Sequence, residues 1–77
     1  MYEEVIKRFE CKLSNAIIEL DFDKALAWLD SITEYIIISF EYDVITFEES
    51  MRDMNKYSVM ARKIKNLKER SEDNATD

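Results

Sequence analysis

Glycine, proline and histidine are absent from this 77-residue sequence, and Cys11 is its single cysteine. Without glycine or proline the chain lacks the residues that most readily make hairpin turns and break helices, which favours an all-helical fold. One cysteine excludes an intrachain disulfide, and without histidine the usual zinc ligand sets cannot assemble. Phosphate-cradling and calcium-binding loops, which depend on glycine at their sharp turns, are excluded as well. Di-iron sites in helix bundles use a Glu-x-x-His pair, so Glu49 and Asp53 on one helix face read as surface carboxylates rather than metal ligands. We expect no metal and no cofactor.

Catalysis is equally short of parts. Acid–base chemistry near neutral pH usually recruits histidine, and nucleophilic catalysis needs an activated Ser, Cys, Thr or Lys held by a base. Neither arrangement is visible, and Cys11 beside Lys12 is a lone thiol on a helix to which we assign no role. The expectation is a protein that is not an enzyme. No apolar run approaches bilayer length, and Glu3 and Glu4 stand where a secretory signal carries a basic flank. A cytoplasmic location without a membrane partner is therefore expected.

Apolar residues make up 47% of the sequence and charged residues 36%, a balance typical of a folded domain rather than a disordered chain. A chain of this length buries only about 60–65% of the surface its unfolded form exposes, so the core is modest. Its stability should be on the order of 3–5 kcal/mol unless oligomerisation or a partner adds to it.

Hydrophobic periodicity predicts three helices, over residues 2–20, 22–41 and 46–70, folded as a small antiparallel bundle. In the first, Tyr2, Val5, Ile6, Phe9, Leu13, Ala16, Ile17 and Leu20 share a sector. Asp21-Phe22-Asp23 interrupts that pattern, and either aspartate is a candidate N-cap for the second helix. Its core face is Phe22, Ala25, Leu26, Leu29, Ile32, Ile36 and Phe40, with Trp28 and Tyr35 at the edge. Within it, the segment LDFDKALAWLD, Leu20–Asp30, resembles one helix start of a tetratricopeptide-type repeat, in which an acidic-aromatic turn precedes an Ala-rich helix. Nothing recurs at that family's spacing of about 34 residues, so no repeat function is carried over.

The third helix opens with a capping box, Thr46 and Glu49. Phe47, Met51, Met54, Tyr57, Ala61 and Ile64 form its stripe, and residues 1–70 make the single domain. SEDNATD, residues 71–77, lacks an apolar stripe and is expected to be a disordered acidic tail. The alternative over residues 35–47 pairs YIIISF with VITFEE as a β-hairpin, because β-branched and aromatic residues dominate both. Helix is preferred, since a turn at Glu41-Tyr42-Asp43 lacks the Gly or Asn such a hairpin needs.

Charge is polarised along the chain. Met1–Ser50 carry twelve acidic and four basic side chains, whereas Met51–Asp77 carry five and seven. Asp23, Asp30, Glu34 and Glu41 line up away from the second helix's core face and, with Asp43, form a candidate acidic partner-binding surface. Arg52, Lys56, Arg62, Lys63 and Lys65 follow the third helix as a basic row. Ile37, Ile38, Val44 and Ile45, with Ile18 and Val59, lie off the core stripes, and the first four are candidates for a partner or homodimer contact.

These patterns predict a small acidic, non-enzymatic protein-binding regulator. The residue usage, rich in Ile, Lys, Glu, Asp, Asn, Tyr and Phe, suits an AT-rich genome such as that of a low-GC bacterium or its phage. An inhibitor from a phage or mobile element would use the acidic rows as a nucleic-acid mimic, as some anti-CRISPR proteins do, and occupy a basic, nucleic-acid-processing protein. The alternatives are a homodimeric structural or adaptor module, and a nucleic-acid binder that uses the basic third helix.

Overall fold

A computed structural model describes the backbone of residues 1–75 and the side chains of residues 1–72. Among the described residues there are three α-helices and no strand: α1 Tyr2–Ile18, α2 Phe22–Glu41 and α3 Phe47–Ala75. The three-helix bundle is the fold, and the hairpin alternative is excluded. Tyr35–Phe40 close α2, and the chain reaches the start of α3 through a short connection.

Each boundary has a local cause. The Asp21 side chain accepts a hydrogen bond from the Lys24 backbone N–H at 3.1 Å, which settles the choice between the two aspartates. At α3 the capping box closes both ways. The Glu49 N–H donates to Thr46 Oγ1 at 3.1 Å, and the Thr46 N–H donates to Glu49 Oε1 at 3.3 Å. With no glycine available, other residues must take the left-handed backbone that ends a helix. Leu20 and Asp43 do so, at φ 59° and 60°. The following amides reach back to the last turns, Asp21 N–H to the Ala16 carbonyl at 2.9 Å and Val44 N–H to the Ser39 carbonyl at 2.8 Å. A left-handed leucine costs about 1–2 kcal/mol, and this one is 72% exposed with little packing to lose. Leu20→Gly should therefore stabilise the protein by about 1 kcal/mol, seen as a higher urea midpoint at unchanged slope. A lower midpoint would show that the Leu20 side chain contributes packing instead.

The first helix ends at Ile18, two residues before the expected Leu20, because the chain turns left-handed there. The third runs five residues past the expected Arg70. The expected tail began where apolar residues stop, but an established helix propagates without an apolar stripe when nothing breaks it. Lys68 supports the last turns, at 3.9 Å from Glu72 on its own helix and 2.6 Å from Asp23 on α2. Residues 71–75 are thus helical, and residues 76–77 of the expected tail lie outside the described residues.

The central element is α2. Ala16 and Ala25 are fully buried, and these small side chains let α1 and α2 approach closely. Ile32 and Ile36 are the largest fully buried side chains, with Leu13, Leu29, Tyr57 and Ile64 around them. An aromatic row follows the α1–α2 seam: Tyr2 stacks on Tyr35 at 5.5 Å, and Phe9 sits 5.9 Å from Tyr35 and 6.0 Å from Trp28. Among the described residues, no Cα of α1 comes within 8 Å of a Cα of α3. Those two helices run parallel and meet through long side chains.

The helices differ in length, and this decides what is covered. Tyr2, the first residue of α1, is level with Tyr35 and Asp53. The second helix runs six residues beyond Tyr35, and α3 starts six residues before Asp53. The α2–α3 corner therefore overhangs α1 by about 9 Å. Phe40, Phe47 and Met51, expected in the core, are 39%, 61% and 56% exposed as a result. Ile17 and Leu20 are likewise left exposed at the other end of α1.

Candidate functional site

Three surfaces carry the features that the sequence singled out. The first is the outer side of α2. Asp23, Asp30, Glu34 and Glu41 are spaced seven, four and seven residues apart, which keeps them within about 40° of one another over about 27 Å of helix. All four are exposed, as is Asp43 in the turn beyond them. Asp23 is not free, since it holds Lys68, and its hydrogen bond and charge raise the Lys68 pKa. Asp30, Glu34, Glu41 and Asp43 have no ion-pair or side-chain hydrogen-bond partner among the described residues. The unopposed acidic row is thus Asp30, Glu34 and Glu41, continued by Asp43.

The second surface is the overhanging corner. Ile37, Ile38 and Val44, singled out for a contact, are 43%, 49% and 58% exposed. Ile45 is a correction: it is 7% exposed and belongs to the core. The left-handed turn at Asp43 folds the chain back, so Ile45 enters the space between the ends of α2 and α3 rather than solvent. Its place on the surface is taken by side chains that periodicity alone assigned to the core. Phe40 and Phe47 meet edge to face at 5.8 Å, with Met51 one turn further along α3. The signal that would have found them is the shortness of α1, which cannot reach this corner.

The third surface belongs to α3. Arg52 pairs with Asp53 at 3.2 Å, and Lys56 pairs with Glu10 at 3.4 Å while lying over the Tyr57 ring. Arg62, Lys63 and Lys65 are exposed and have no acidic partner among the described residues. The basic row is therefore split into a paired N-terminal part and an open middle. Beside it, a groove of about 340 Å³ opens between α1 and α3, walled by Leu13, Ile17, Phe22, Met60, Ile64 and Leu67. Glu10, Ser14, Lys56 and Lys63 form its rim.

Above the groove two tyrosines lock α1 to α3. Tyr2 Oη donates to Asp53 Oδ2 at 2.8 Å, and Tyr57 Oη donates to Glu10 Oε1. Burial pushes both phenols well above their ordinary pKa, and the hydrogen bond and negative charge of the carboxylate push further the same way. Sequence spacing carried no sign of these pairs.

Among the described residues no group of three or more His, Cys, Asp or Glu side chains is placed to hold a metal ion. No helix among them is long and apolar enough to cross a membrane. No family model matches the chain, and neither a curated protein nor a solved structure matches it.

Proposed function

We propose that this chain is a small non-enzymatic protein-binding regulator that works in the cytoplasm, an inhibitor of the phage or mobile-element kind. It would act by occupying the basic surface of a nucleic-acid-processing protein, much as anti-CRISPR-type inhibitors do. The observation that carries this reading is the row Asp30, Glu34 and Glu41, aligned, exposed and unopposed on the side of α2 that faces away from the other helices. Carboxylates that keep a small protein soluble are normally interspersed with bases. Here α2 has one basic residue, Lys24, at its first turn. Aligned charge of one sign steers association with a surface of the opposite sign.

Glu34→Lys combined with Glu41→Lys tests the reading, because both side chains are exposed and neither supports the fold. A partner captured from host extract should bind the variant at least about tenfold more weakly and should be displaced from the wild type by its own nucleic acid. Capture that survives both the reversal and the nucleic-acid competitor sinks the proposal.

Arg62, Lys63 and Lys65, open on α3, favour one other reading, direct nucleic-acid binding. Genuine phosphate contacts weaken steeply with salt. Titration of labelled DNA and RNA at low and then moderate salt should show no binding under the proposal made here, and salt-sensitive binding under the alternative.

A further inference from the structure

The exposed apolar corner has a shape that suits one partner in particular. At 100° per residue, Ile37 and Phe40 lie on the side of α2 that adjoins α3 and is turned away from α1, and Phe47 and Met51 lie on the matching side of α3. The Phe40–Phe47 ring contact at 5.8 Å joins the two halves into one surface, with Val44 at its end. At roughly 200 Å² per large side chain, half-exposure of these five leaves on the order of 500 Å² of apolar area. That is the upper range of what a monomer leaves uncovered. With a polar rim it approaches the roughly 800 Å² per partner that a stable interface buries.

The rest of this face is charged in a self-complementary way. Moving away from the corner, α3 presents Arg62 and Lys65 along the same side, neither with an acidic partner among the described residues. The edge of α2 presents exposed Asp30, also without a partner among the described residues. Two contacts fix the relative heights: Phe40 is level with Phe47, and Asp23 is level with Lys68. Asp30 therefore stands within about one helical turn of the height of Arg62.

We infer that two copies of this chain associate through the α2–α3 face about a twofold axis parallel to the helices. Such an axis keeps every residue at its own height and sets α2 of one copy antiparallel to α3 of the other. Apolar corner meets apolar corner, and Asp30 of each copy faces Arg62 of its mate. A twofold axis perpendicular to the helices and passing midway along this face would press Phe47 and Met51 against Arg62 and Lys65, burying unpaired charge on apolar surface. The α2–α3 faces together make a four-helix layer with antiparallel neighbours. This goes beyond the proposed function: the mate takes up Asp30 of the acidic row, while Glu34 and Glu41 stay outside the interface and remain available to a target.

Sedimentation equilibrium from micromolar to near-millimolar concentration tests it. The wild type should move from the 9.2 kDa chain toward twice that mass. Phe47→Glu should remain at the chain mass with its helical circular dichroism intact, its dissociation constant raised at least about a hundredfold. Should Phe47→Glu lose helicity, Met51→Glu gives the same reading one turn away. Arg62→Glu should weaken the dimer, and adding Asp30→Lys should restore it, an outcome specific to this pairing. A wild type that stays at the chain mass throughout overturns the proposal, and Arg62→Glu without restoration by Asp30→Lys overturns its geometry. Because Phe47→Glu leaves the acidic row untouched, target capture by that variant separates failure of the dimer from failure of the target reading.

Discussion

Ile32→Ala should cost about 3–4 kcal/mol and leave much of the protein unfolded at room temperature. Ile32 is fully buried at the middle of α2, and truncating such a side chain forfeits its transfer free energy and opens a cavity. The position matters more than in a bundle with three equal seams. The first and third helices both pack on α2, but no Cα of one comes within 8 Å of a Cα of the other among the described residues. A cavity in α2 therefore loosens both seams at once. Against a total on the order of 3–5 kcal/mol, the loss consumes most of the stability. Ile37→Ala on the same helix is the control. At 43% exposure it should cost under about 1 kcal/mol in the monomer. Urea unfolding at low protein concentration, followed by circular dichroism and by Trp28 fluorescence at the α1–α2 seam, compares the two. Equal midpoint shifts for both variants would contradict the central role of α2.

That contrast between neighbouring isoleucines shows where the sequence was legible. The span Phe22–Glu41, an aspartate cap before it and the Thr46–Glu49 box follow from spacing and side-chain chemistry within a few residues, and each is seen, with Asp21 rather than Asp23 as the cap. The run of isoleucines before Glu41 has strand propensity, yet its α2 neighbours continue the helical period, and burial of Ile32 and Ile36 outweighs that preference. The acidic row was legible for the same local reason. What spacing does not carry is how far one helix slides along another. Phe40, Phe47 and Met51 sit on well-formed stripes but are uncovered because α1 stops short of them. Ile45 lies off every stripe yet is buried, because a left-handed aspartate redirects the chain. The pairs Tyr2–Asp53 and Tyr57–Glu10 join residues about fifty positions apart, and only the parallel register of α1 and α3 brings them together.

Those two pairs should make the protein's stability fall in alkali. A tyrosine in an unfolded chain loses its proton near pH 10. In the fold, burial first, then the hydrogen bond to a carboxylate and its negative charge, hold the Tyr2 and Tyr57 phenols protonated well beyond that point. Above pH 10 the unfolded state therefore binds fewer protons than the native state, so stability decreases as pH rises. The contribution is whole below pH 10 and is lost progressively as pH climbs toward the raised native values. Each phenol adds a slope of at most about 1.4 kcal/mol per pH unit, so the two together can remove most of the stability within about two units. Lys68, raised by Asp23, acts in the same direction from the surface. Tyr57→Phe and Tyr2→Phe should each cost about 1 kcal/mol at neutral pH, since Glu10 keeps Lys56 and Asp53 keeps Arg52. Each should also remove about half of the alkaline slope. Urea midpoints measured from pH 8 upward, together with the ultraviolet absorbance of tyrosinate, follow both quantities. Stability in the wild type that stays flat past pH 11, or single variants that keep the full slope, would show that the two phenols do not lock α1 to α3.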